Sequence, residues 1–256
     1  MQHQSRKRFG QHFLHDRNII NKILLAISPK PTDFIVEIGP GLGAITLPLL
    51  ERCGMLTAVE LDRDVIPHLR ESAAGKGTLH IIQADALKTD FYDLAPSGQK
   101  IRLVGNLPYN ISTPLLFHLL DQSDSIQDMH FMLQKEVVRR MAAKPGGREY
   151  GRLTVMLAAR CRVEPLFSIG SGAFRPPPKV ESAFVRLIPH AALLFPLTDP
   201  ARFAQFVSQA FSHRRKTLRN ALQGLADEAA IRIAGLDPAA RPETLSASDY
   251  ARLAAN

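Results

Sequence analysis

Two hydrophobic rhythms alternate through the first two thirds of this chain. Ile19, Ile20, Ile23, Leu24 and Ile27 fall at helical spacing behind Asp16, whose carboxylate suits an N-cap. Phe34–Ile38 is then a short, compact, mostly apolar run, the pattern of a strand buried on both faces. Helical spacing returns up to Cys53, where Gly54 supplies a stop signal. Strand-like runs follow at Met55–Val59, Leu79–Gln83, Ile101–Val104 and Met129–Leu133. Helical stretches separate them: one through Val65, Ile66 and Leu69, one opened by Ser112-Thr113-Pro114, and one over Lys135–Ala143 follows the last. Ala183–Ile188 adds a further strand. This alternation predicts an α/β domain, a parallel sheet with helices on both faces.

The rhythm changes near Pro189. Pro189 to Pro200 reads as a linker, and beyond it Phe203, Phe206, Val207, Ala210 and Phe211 form one apolar helical stripe. The expected organisation is therefore a domain over 1–189 with a basic N-terminal arm, a linker over 190–199, and a small helical domain over 200–256. Two connections stand out within the first domain. The loop Lys144–Gly151 is polar and mobile by composition, with Arg148 and Arg152 available to a phosphate backbone. Phe174-Arg175-Pro176-Pro177-Pro178-Lys179-Val180 is stiff, polyproline-like chain.

Charge points to the partner. Lys and Arg number 32 against 24 Asp and Glu, a net charge of +8 over 256 residues, with a sequence pI near 9.8. Such a balance favours a polyanion, nucleic acid first and an anionic membrane surface second. The excess is concentrated: Arg6, Lys7 and Arg8 lie in the arm, and Arg202, Arg214, Arg215, Lys216 and Arg219 fall in a stretch without acidic residues between Asp199 and Asp227. Cys53 and Cys161 offer neither a disulfide framework nor metal spacing, and the 9 histidines are scattered, so no metal is implied. No signal-peptide pattern opens the sequence and no run of transmembrane length follows, which makes a cytoplasmic protein the expectation.

The chemistry gathers at the ends of the predicted strands. Gly39-Pro40-Gly41-Leu42-Gly43 lies where a strand turns into a helix, and glycines there allow a tight turn and close ligand approach. Glu60, about 20 residues further on at the next strand end, can accept both hydroxyls of a ribose. With Ala44 in sixth place, the loop also fits a dinucleotide fingerprint, which keeps NAD open at this point. Asp85, at the third strand end, can take the amino group of a bound adenine. Asn106-Leu107-Pro108-Tyr109 then closes the fourth. This set matches S-adenosylmethionine better than a dinucleotide.

That tetrapeptide suits the exocyclic amine of a flat base. The N6 of adenine is a weak nucleophile because its lone pair is delocalised into the ring. The Asn106 side-chain oxygen and the Leu107 carbonyl, held by Pro108, can accept from its two N–H groups and favour a pyramidal nitrogen. Tyr109 can stack on the base and fix its plane.

Val36-Glu37-Ile38-Gly39-Pro40-Gly41-Leu42-Gly43, Glu60-Leu61-Asp62, Asp85-Ala86 and Asn106–Tyr109 resemble the S-adenosylmethionine-dependent ribosomal RNA adenine N6-dimethyltransferases, above all the bacterial small-subunit (KsgA) family. The likeness extends through Lys7–Leu14, Asn110–Pro114, Met129–Val137, Phe174–Val180 and Phe211–Asn220, nearly the whole chain. It implies a Rossmann-like methyltransferase domain with a small C-terminal helical domain that binds RNA or the ribosome. Carried over by position, it places His12, Leu14, Gly39, Gly41, Glu60, Asp85 and Asn106 at the methyl donor. His12 departs from the Asn that many relatives carry, and an imidazole can still donate or accept a hydrogen bond. Phe174 joins Tyr109 as a stacking candidate for the extruded base.

The implied reaction dimethylates two adjacent adenines near the 3′ end of 16S ribosomal RNA in an assembling small subunit, by a monomeric enzyme that releases S-adenosylhomocysteine. Arg6, Lys7, Arg8, Arg148, Arg214, Arg215, Lys216 and Arg219 are the expected RNA contacts. A large-subunit methylase of the antibiotic-resistance type shares the catalytic half, so Phe174–Val180 and Phe211–Asn220 discriminate against it. A DNA adenine methylase would usually carry a separate base-reading domain. A ribosome-assembly factor without activity fits poorly with an intact Glu60 and Asn106–Tyr109.

Overall fold

The computed structural model describes residues 12–96 and 98–255. The arm residues Arg6, Lys7 and Arg8 lie outside the described residues.

A seven-stranded sheet organises the first part of the chain, in the order β4-β3-β2-β5-β6-β9-β7. Its strands are β2 (Phe34–Ile38), β3 (Met55–Glu60), β4 (Thr78–Gln83), β5 (Ile101–Asn106), β6 (Ile126–Gln134), β7 (Cys161–Ile169) and β9 (Ser182–Pro189). The β4-β3-β2-β5-β6 portion is parallel, and β9 returns antiparallel to β6. β2 and β5 are buried almost throughout, which explains their largely apolar composition, whereas β4 at the sheet edge alternates. A separate two-stranded ribbon pairs β1 (Phe13–Leu14) antiparallel with β8 (Phe174–Arg175).

Helix boundaries follow local chemistry. α1 (Arg17–Ile27) starts where the Asp16 carboxylate accepts from the backbone N–H groups of Asn18 and Ile19. α2 (Thr46–Cys53) ends at Gly54 in the left-handed region, as its sequence predicts. α3 (Ile66–Ala73), α4 (Ser112–Asp121) and α5 (Lys135–Met141) complete the alternation. Ile23, Leu24, Ile27, Leu49 and Leu50 pack with Ile35, Leu56 and Phe184 of the sheet into one core.

One charge is built into this interior. Arg102 of β5 is buried, and its guanidinium donates to both Asp128 carboxylate oxygens at 2.9 and 3.0 Å, to Asp33 at 2.6 Å and to the Ile27 carbonyl at 2.8 Å. The bidentate fork ties β5 to β6 and to the end of α1, and Arg186 at 3.6 Å gives Asp128 a second cation.

The division of the chain differs from the expected break. Among the described residues, those up to Val138, with Glu164–Pro189, form one compact unit; Arg139–Val163 joins those from His190 onward in a second. The segment 139–163, expected in the first domain, contributes Tyr150, Val155 and Ala159 to a core with Phe203, Phe206, Val207, Leu222 and Tyr250. It includes a helix that the hydrophobic pattern does not announce, α6 (Arg152–Ala158). The second unit also holds α7 (Pro200–Ser212), α8 (Leu218–Ala221), α9 (Glu228–Ile233) and α10 (Ala247–Ala255). Asp199 caps α7 by accepting from the Arg202 N–H, with Pro200 in the first turn. The expected linker has no regular secondary structure, but Phe195 and Leu197 pack against this core.

Composition misleads for the loop Lys144–Gly151, which is fastened at several points. The Gly146 N–H donates to the Glu243 carbonyl at 2.7 Å, Arg214 donates to the Gly147 carbonyl at 3.1 Å, and the buried Tyr150 hydroxyl donates to the Leu245 carbonyl at 2.7 Å.

Candidate active site

Four parallel strands deliver their C-terminal ends to one cavity of about 1010 Å³. It lies where the strand order reverses between β2 and β5, the place where open α/β sheets bind ligands. His12, Leu14, Gly39, Gly41, Glu60, Asp85 and Asn106–Tyr109 all line it.

The glycine loop and Glu60 form one device. Gly41 has φ +53°, a backbone that side chains rarely adopt, and an added Cβ would meet the Phe13 ring at 3.2 Å. In this conformation its N–H donates to Glu60 Oε2 at 3.2 Å, while the Asp62 N–H donates to Oε1 at 2.8 Å. Burial pushes the Glu60 carboxyl up, the two N–H groups pull it back, and the Asp62 charge adds to the rise. A carboxylate has about four lone-pair positions, so each oxygen keeps one for a ligand hydroxyl. At the next strand end, Asp85 Oδ1 accepts from the Leu87 N–H at 3.0 Å, leaving Oδ2 to accept from an amine.

At the fourth strand end, β5 continues through Gly105 to Asn106, two residues beyond the run that predicted it. The close fit shows why residue 105 is glycine: a Cβ there would lie 2.6 Å from the Ile38 carbonyl oxygen. Asn106 Nδ2 donates to the His12 carbonyl at 3.0 Å. That bond fixes the amide's orientation and leaves Oδ1 as the acceptor. The Pro108 carbonyl accepts from the Ile111 N–H and the Tyr109 carbonyl from the Ser112 hydroxyl. Among the described residues, none donates to the Leu107 carbonyl, so two acceptors remain for an amine with two hydrogens. The Tyr109 ring stacks on His12 with centroids 5.9 Å apart, and its hydroxyl shares a 2.7 Å hydrogen bond with the buried Ser182. Burial raises its phenol pKa, against the pull of that bond. His12 Nδ1 in turn lies 2.8 Å from the Pro176 carbonyl.

Glu37 is not marked as a site residue by the sequence, because it sits between Val36 and Ile38 in an apolar run. It lines the cavity with only 2% of its surface exposed, and neither its Oε2 nor the nearby Thr46 hydroxyl completes a hydrogen bond. Burial pushes its pKa up to about 8, with the Thr46 hydroxyl lowering it and the Glu60 charge raising it. The folded protein therefore holds a proton there that the unfolded chain, with an ordinary carboxyl, loses. Its contribution to stability is complete at acid pH and is lost as pH rises toward about 8. Glu37→Gln, neutral at every pH, should flatten stability across that window and be the more stable form above it, by about a few kcal/mol. Urea titrations of the ligand-free protein at stepped pH check this; parallel curves for the two proteins would show that Glu37 is ionised in the fold.

Phe174, the other stacking candidate, lies away from the cavity. Pairing of Leu14 with Phe174 across the β1–β8 ribbon turns this ring into the core beside Ile169 and Phe184, and it is 2% exposed. It does not line the cavity, whereas Phe13 and Tyr109 do. Arg148, Arg214, Arg215, Lys216 and Arg219 all belong to the second unit. Two of them are engaged: Arg214 holds Gly147 and faces Glu243 at 3.9 Å, and Arg219 pairs with Glu228 at 2.9 Å. Arg215 and Lys216 are exposed with no acidic partner among the described residues.

The chain matches the family model described as ribosomal RNA adenine dimethylase over residues 2–255. It belongs to that family. It is 57% identical over 251 residues to the ribosomal RNA small subunit methyltransferase A of Nitrosococcus oceani, covering 98% of this chain and 95% of that protein. The Pseudomonas putida protein of the same name is 54% identical over 253 residues, with 99% and 95% covered. Among solved structures, a dimethyladenosine transferase from Plasmodium falciparum superposes with a TM-score of 0.79 at 27% identity, covering 94% of this chain and 96% of that one. The 23S rRNA methyltransferase ErmE gives 0.74 at 27% identity, covering 95% and 98%. The fold is thus the Rossmann-like methyltransferase fold, and the methyl donor of the family is S-adenosylmethionine. The cavity fits that molecule: two backbone-held carboxylates face it where a ribose and an amine would need acceptors, and Glu37 leaves a buried polar atom unmatched. Among the described residues, no group of three or more His, Cys, Asp and Glu could hold a metal ion. No helix in them is long and apolar enough to cross a membrane.

Proposed function

We propose that this member of the family places two methyl groups on N6 of each of two adjacent adenines near the 3′ end of small-subunit ribosomal RNA. The observation that carries the reading is the Asn106 amide, locked by its bond to the His12 carbonyl so that Oδ1 and the Leu107 carbonyl together await an exocyclic amine. The small-subunit assignment rests on relatives whose names specify it.

The target adenine must first leave its stack, at a cost of about a few kcal/mol. Tyr109 offsets part of this by stacking, worth about 1–3 kcal/mol. S-adenosylmethionine supplies an already activated methyl group, so the protein's task is alignment and exclusion of water rather than strong base chemistry. Asn106 and Leu107 hold both N–H groups and bring the nitrogen lone pair toward the donor. The proton that N6 sheds after each transfer passes to water, since a methylated N6 in its cationic form is strongly acidic. Glu60 and Asp85 hold the ribose and adenine of the donor. The enzyme acts as a monomer in the cytoplasm, on subunits late in assembly. Labelled methyl transfer to unmethylated small subunits, with nucleoside analysis, tests this; label on large subunits alone would favour the resistance-type reading instead.

RNA contact belongs to the second unit in this reading. Cations on phosphates set affinity and orientation, not sequence. Because Arg214 is engaged with the loop at Gly147, we expect Arg214→Ala chiefly to lower the melting temperature. Replacing Arg215 and Lys216 by Ala should weaken small-subunit binding and reduce its salt slope by up to about one unit for each phosphate that is no longer neutralised. A salt series with isolated subunits decides it: an unchanged slope removes both residues from the interface.

A further inference from the structure

The chain after β4 that carries Asp85 has no strand partner, yet a carboxylate that reads a base must be held within fractions of an ångström. Some of the restraint is local. The Asp85 carbonyl accepts from the Lys88 N–H at 2.9 Å and from the Thr89 hydroxyl at 3.0 Å. The rest comes from α4. The Thr89 carbonyl lies 2.8 Å from His118 Nε2, and the Gln122 amide nitrogen lies 3.0 Å from that same imidazole nitrogen, so carbonyl, imidazole and amide form one cluster. Gln122, one turn further, donates to the same carbonyl at 3.4 Å and accepts from the Phe91 N–H at 2.6 Å. The fully buried Phe91 ring meets the His118 imidazole edge-on at 6.3 Å. The other end of α4 starts directly behind the target-base loop, where the Ser112 hydroxyl donates to the Tyr109 carbonyl at 3.1 Å. One helix therefore grips the loop at Asp85 and the loop at Asn106.

We propose that His118 and Gln122 are positioning residues for the methyl donor: through Thr89 they hold Asp85 where it reads the 6-amino group of the donor's adenine. Neither residue lines the cavity, so both act through that loop. The proposal rests on the assignment of Asp85 to the donor's base.

Calorimetric binding of S-adenosylhomocysteine and of its inosine counterpart, which carries an oxo group in place of the 6-amino group, tests it in the full-length protein. His118→Ala and Gln122→Met should bind the adenosine compound about tenfold more weakly and the inosine compound as wild type does, collapsing the preference. The donor KM should rise in proportion while kcat at saturating donor stays within about twofold. His118→Gln, whose amide can reach the Thr89 carbonyl, should restore the preference. Asp85→Ala separates the positioning role from the base assignment. If it erases the preference while folded His118→Ala and Gln122→Met retain it, the positioning role is overturned and the Asp85 assignment stands. If it leaves the preference intact, Asp85 does not read the base and both fall. Equal loss of both compounds in the α4 variants would mean general loosening and would also overturn the proposal.

Discussion

Asn106→Ala should slow single-turnover methyl transfer by about 10²–10³-fold, the usual cost of removing one preorganised hydrogen-bonding group from the reacting centre. The donor should bind nearly as well as to wild type, because Glu60 and Asp85 remain. The strength of the effect comes from orientation as much as from the oxygen itself. An Asn amide in solution presents oxygen or nitrogen equally; here the Nδ2–His12 bond at 3.0 Å selects the oxygen for the substrate. Asn106→Asp is therefore informative. It retains an acceptor but sets a carboxylate oxygen against the His12 carbonyl, so it too should lose most of its turnover. Wild-type rates for Asn106→Ala would show that the Leu107 carbonyl and packing suffice. Full activity in Asn106→Asp would show that the locked amide is irrelevant.

The parts of this architecture legible in the sequence are those fixed by local chemistry. Asp16 caps α1, Gly54 ends α2, and β2 and β5 are mostly apolar because both faces are covered. The strand-end acceptors Glu60, Asp85 and Asn106 are equally visible, since a parallel sheet must present them at one edge. What escapes depends on contacts distant in sequence. The loop before α6 reads as polar surface, yet Tyr150 is buried against Phe211 with ring centroids 6.0 Å apart, a pairing no local pattern announces. Phe174 is a stacking candidate through the family resemblance; the ribbon with Leu14 accompanies a ring that faces inward. The basic cluster likewise gives no sign that Arg214 is committed to the Gly147 carbonyl while Arg215 and Lys216 stay exposed. Glu37 shows the converse, an acid hidden inside an apolar run.

Glu60→Ala should weaken S-adenosylhomocysteine binding by about 10²–10³-fold, the loss expected when two charge-assisted hydrogen bonds of roughly 1.5–3 kcal/mol are removed and partly replaced by water. The substitution acts twice. It removes the acceptors for the ribose, and it leaves the Gly41 and Asp62 N–H groups without their partner, so the glycine loop loses its anchor. Glu60→Gln should be intermediate, because its amide can accept from one of those N–H groups but must turn its own NH₂ toward the other. A 2′-deoxy analogue separates the two contributions. Wild type should discriminate against it, Glu60→Ala should not, and the shortfall in the double comparison measures the direct ribose interaction. The pH dependence has a defined sign. Ionised Glu60 accepts best, and burial raises its pKa above that of an ordinary carboxyl, so donor affinity should fall on acidification from a higher pH than a free glutamate would give. Glu60→Gln should lack that fall. Unchanged calorimetric affinity in Glu60→Ala would remove this residue from the donor site, and binding of NADH in place of S-adenosylhomocysteine would overturn the reading of the cavity itself.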